Sequence, residues 1–170
     1  MLPTEVDALI RESIDVYLKS RQFRPPIFGQ RLLARSFGGE VIQPAKVAAV
    51  ASEEIEAVSS GLVTSIQKVI EKVQITPYEG LQNDLLQVFD SEFDTCATAI
   101  RKFGGDYLAR IAPNMPASGW FDQKLEDARQ ARHLELKLLA AGVLKSDRGA
   151  TDRILYNSKN EPVATVAGSD

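Results

Sequence analysis

The sequence predicts a mainly α fold: a helical bundle built on two long antiparallel helices plus a third helix, closed by a small C-terminal β-hairpin. Three observations predict it. An apolar stripe recurs at helical spacing from Val47 to Val73, and a second runs from Leu81 to Tyr107. Beyond Gly142 the pattern then changes to short runs rich in β-branched and aromatic residues. With 170 residues, 44% of them hydrophobic and 25% charged, the chain has an ordinary globular composition and material enough for one core. A single domain is expected, organised as 1–20, 21–44, 45–144 and 145–170.

Residues 1–20 read as an N-terminal helix. Pro3 and Thr4 supply a start, with Asp7 placed to complete a capping box, and Val6, Leu9, Ile10, Ile14 and Tyr17 form one apolar face. Pro25 and Pro26 forbid continuation. Residues 21–44 form a basic irregular connection, where Arg21, Arg24, Arg31, Arg35 and the neighbouring Lys46 face only Glu40.

The helical core, 45–144, begins with the clearest signal. Val47, Ala51, Ile55, Val58, Leu62, Ile66, Val69 and Val73 recur at steps of three and four, and Val47, Val58 and Val69 are eleven residues apart. An eleven-residue period is about 3.67 residues per turn, so such a stripe stays nearly straight along the helix. A helix of this length, roughly 45 Å, needs equally long partners. Leu81, Leu85, Val88, Phe89, Phe93, Cys96, Ile100, Phe103 and Tyr107 supply one, joined by a break too short for anything but an antiparallel hairpin. Gly104 and Gly105 are expected to end, kink or weaken it. A third helix starts near Ser118, with Trp120, Phe121, Leu125, Ala128, Ala131, Leu134 and Leu138 on its inner side. In 145–170, Arg153 to Tyr156 and Val163 to Val166 read as the strands of a hairpin followed by a short tail.

Composition narrows function more than any motif does. A net charge of −3 gives no general reason to expect nucleic acid or an anionic membrane. The single cysteine, Cys96, excludes an intramolecular disulfide, and the first residues lack the basic-then-apolar pattern of a signal peptide, so a cytoplasmic location is expected. No apolar run reaches the roughly 20 residues needed to span a bilayer. His133, the only histidine, lies in a charged helical run without a Glu-x-x-His partner, and Cys96 sits on an apolar stripe. Neither reads as a metal ligand or nucleophile. The acidic runs Glu53, Glu54, Glu56 and Asp90, Glu92, Asp94 read as solvated helix faces, and the glycine pairs lack the order a phosphate loop requires. No cofactor and no metal are expected, and no catalytic residue is nominated.

The expected function is a non-catalytic protein–protein interaction or assembly module, with a protein partner, self or other. Its candidate residues are Val47, Ile55, Val58, Leu62, Ile66 and Val69, the stripe that a second chain would cover if one chain left it open. The alternative is a nucleic-acid-binding regulator. Residues His133 to Leu144 followed by Lys145 to Tyr156, a leucine-rich helix end and then a strand, resemble the end of a winged helix. That resemblance implies contacts from Arg129, Arg132, Lys145, Arg148 and Arg153. A third reading is a small-ligand-binding helical domain, or an enzyme without a recognisable motif.

Overall fold

A computed structural model describes residues 1–21, 44–76, 78–111, 114 and 117–160, and among these it contains four helices and no strand. The first, α1, is Thr4–Ser20. Pro3 is its N-cap: the Pro3 carbonyl accepts the amides of Val6 and Asp7 at 2.9 and 3.0 Å. The expected Thr4–Asp7 capping box does not form, because a cap residue needs extended backbone and Pro3 takes that place, leaving Thr4 inside the helix. Val6, Ile10 and Ile14 are buried along α1 with Leu2 just before it, whereas Leu9 is 44% exposed.

The next helix, α2, is Pro44–Val73. Proline suits its first position, where an amide would have no partner anyway. Gln74, at φ 48°, ends it with one residue in the left-handed region, and Gly80, at φ 101°, turns the chain into α3, Leu81–Ile111. The Leu81 amide donates to the Tyr78 carbonyl at 3.2 Å as the new helix opens. Gly104 and Gly105 do not interrupt α3. Gly104 instead provides a notch: a Cβ there would lie 2.5 Å from Cζ of Phe121. That close approach offsets the roughly 1 kcal/mol that a glycine costs inside a helix.

The last helix, α4, is traced as Ala117–Asn160, with side chains described as far as Gly142. The basic connection lies outside the described residues over 22–43, as do the side chains of Tyr107, Trp120, Lys145, Arg148 and Arg153. The return strand expected at 163–166 is also outside them, and the first strand's residues fall on the backbone-only part of α4.

Side-chain contacts fix the relative directions. Ser13 donates to the Ser65 carbonyl and Tyr17 to that of Ala57, so α1 runs antiparallel to α2. Arg101 meets Asp122 while Arg129 meets Asp90 and Asp94, so α3 and α4 are antiparallel too. The Met1 amino group meets Asp84 and Arg11 meets Glu92, which places α1 parallel to α3. The chain therefore runs up, down, up, down. Helix α4 packs on both α2 and α3, while α1 packs chiefly on α2.

One apolar core joins all four helices. Phe89, Phe93, Phe121, Ile10, Ile14, Leu62, Ile66, Leu81, Leu85 and Ile100 are its largest fully buried side chains. Burying each contributes about 1.5–3 kcal/mol of transfer free energy. At the α1–α2 crossing Gly61 has no Cβ because the Tyr17 ring occupies that place, and the Tyr17 hydroxyl donates to the Ala57 carbonyl at 2.6 Å.

Candidate interaction face on the fourth helix

Val47, Ile55, Val58, Leu62, Ile66 and Val69 are 0–9% exposed, all of it achieved within one chain. They are core, packed against α1, α3 and α4.

Phe121, Leu125 and Ala128 face inward as expected, but from Ala131 onward α4 turns a different face inward from the one its leucines predict. Phe121, Leu125, Ala128, Leu136 and Ala140 are buried, with Leu139 packed against them, whereas Ala131, Leu134 and Leu138 point to solvent. The correction has a physical cause. Arg132 sits in the middle of the inner face at helical spacing from Ala128 and Leu136, and its side chain is only 12% exposed. Hydrophobicity alone steers a reader away from a face containing arginine, but the aliphatic stem packs while the guanidinium meets Glu56 at 2.6 Å and Glu135.

A band of charge beside this face ties α4 down. Arg129 reaches Asp90 at 3.0 Å, Asp94 and Glu126, and lies over the Phe93 ring, 5.4 Å from its centroid. The Arg129 guanidinium is held even more firmly protonated than usual, since hydrogen bonding and attraction from Asp94 outweigh its desolvation. His133 Nε2 lies 2.8 Å from the same Asp90 oxygen, and the Phe89 ring meets the imidazole edge-on. Arg101 joins Asp122 at 2.7 Å nearer the start of α4. The acidic runs are only partly solvated faces: Glu53, Glu56 and Asp94 are exposed, but the runs also tie helices together, Asp90 and Asp94 holding α4, Glu92 holding Arg11, and buried Glu54 meeting Arg21 at 3.1 Å.

For the nucleic-acid alternative this matters directly. Two of its five candidate cations, Arg129 and Arg132, are largely buried and spent on carboxylates of the same chain. Those of Lys145, Arg148 and Arg153 lie outside the described side chains.

Among the charged and polar residues that α4 exposes, two leucines stand out. Leu134 is 59% exposed and Leu138 63%, one turn apart on one face, with exposed Ala131 one turn before. Beside them a groove of about 300 Å³ opens between α2 and α4, lined by Ser52, Ile55, Glu56, Lys124, Asp127, Ala128 and Ala131. It exists because Ser52, Ala128 and Ala131 are small where larger side chains would have closed the seam. Leu9 and Val16, also exposed, are two turns apart on α1 with Ser13 between them.

Reactive chemistry finds little support. Burial pushes the Cys96 thiol up to about 12, with Glu92 adding to the effect, so the thiolate that a nucleophile or ligand needs is suppressed. A second cavity, of about 290 Å³, lies between the start of α1 and α3. Its charged groups are already engaged: Arg11 with Asp7 and Glu92, and Asp84 with Tyr78 and the Met1 amino group. Those contacts hold the Asp84 carboxyl below its ordinary range. Among the described residues no group of three His, Cys, Asp or Glu is placed to hold a metal, and no helix is long and apolar enough to cross a membrane.

Comparison with known proteins returns no match: no family model fits the chain, and no curated protein or solved structure is significantly similar to it.

Proposed function

We propose that the chain is a non-catalytic protein-interaction module whose docking surface is the outer face of α4. The observation that carries this reading is the pair Leu134 and Leu138, each more than half exposed and adjacent to an open groove. Apolar side chains clustered beside a concavity are the usual mark of a contact surface, whereas scattered exposed apolar residues are not. The face is also well supported from behind. Leu136 and Ala140 anchor the same turns of helix in the core, and Arg129 and Arg132 clamp them to α3 and α2, so a partner meets a rigid surface and little ordering cost.

A photo-reactive amino acid at position 138 tests the reading, with one at exposed Glu12 as the control. The expected outcome in cells is a discrete protein adduct from position 138 that disappears when Leu134 is replaced by Lys. Absence of any adduct from 138, or equal adducts from both positions, overturns it. Two finer expectations belong to the same proposal. A reducing, cytoplasmic setting fits a lone buried cysteine. The C-terminal hairpin of 145–170 would extend the module past the bundle, and backbone chemical shifts of Arg153 to Tyr156 distinguish strand from helix.

A further inference from the structure

We draw no further inference here: the strongest candidate, the exposed apolar patch of Leu134 and Leu138 on the outer face of α4, belongs to the interaction face already described, and nothing in the structure shows what covers it.

Discussion

Helices α2 and α3 pair through side chains that are almost wholly apolar, whereas α4 is held by a mixture of apolar contacts and ion pairs. Along the facing stripes, Val47 to Val69 and Leu81 to Ile100, the buried positions are aliphatic or aromatic apart from Cys96, Ser59, Ser65 and Glu54, the last paired with Arg21, the C-cap of α1. On α4, Arg132 occupies the inner face itself, and Arg129 and His133 border it. The difference teaches where specificity resides. An uninterrupted stripe defines a helix and its inward direction, but any equally long stripe can satisfy it. The charged seam of α4 works only in one register, because Arg129 must find Asp90 and Asp94 while Arg132 finds Glu56.

The largest effect that separates the two regions should come from placing a charge in the α2–α3 stripe. Leu62→Asp buries an unpaired carboxylate at a fully buried position and should cost well over about 4 kcal/mol, leaving no cooperative thermal transition by circular dichroism. A folded monomer carrying this change would mean the stripe is not the core. Next comes truncation on the inner face of α4: Leu136→Ala should cost about 2–5 kcal/mol in a urea titration. Loss of under about 0.5 kcal/mol would mean that α4 does not share the core's cooperative unit.

Gly61→Ala should cost about 1–3 kcal/mol, since the new Cβ falls 1.8 Å from the Tyr17 ring. Tyr17→Ala in the same chain should remove most of that penalty, and simple additivity of the two losses would refute the contact. Raising pH sharpens the comparison further, through Cys96. Its folded value is raised, so its neutral form is stabilising in full below the ordinary thiol range, and this contribution is lost as pH climbs from about 9 towards 12. Stability at pH 10.5 should fall relative to pH 8, and less so in Cys96→Ala; equal losses in both would exclude the thiol as the cause. The smallest effect belongs to the outer face of α4. Leu134→Ser should change monomer stability by no more than about 0.5 kcal/mol in dilute solution, against the several lost at Leu136 two residues later.

The same contrast explains what could be read early. The stripes of α2 and α3 were legible because every third or fourth residue is apolar and nothing competes with it. On α4 two apolar faces compete: one has Leu134 and Leu138, the other has Leu125, Leu136 and Ala140 interrupted by Arg132. Counting hydrophobicity favours the former. A signal for the true face did exist, since Arg129, Arg132 and His133 sit at helical spacing opposite the spacing of Asp90 and Asp94, but it acquires meaning only once the antiparallel register is known. The glycines behaved likewise: as a pair, Gly104 and Gly105 resemble a helix break, and only the arrival of Phe121 reveals Gly104 as a notch.

The sequence by itself determined that this chain makes long amphipathic helices, because local periodicity decides which residues share a face of a helix. It also determined that α2 and α3 bury their stripes, because an uninterrupted apolar face that long has no stable place in water. Tertiary structure alone decided which face of α4 turns inward beyond Ala128, which carboxylates join helices, and which leucines remain uncovered. Those outcomes depend on groups tens of residues apart in the chain coming within a few ångströms, and short-range pattern carries no record of such distances.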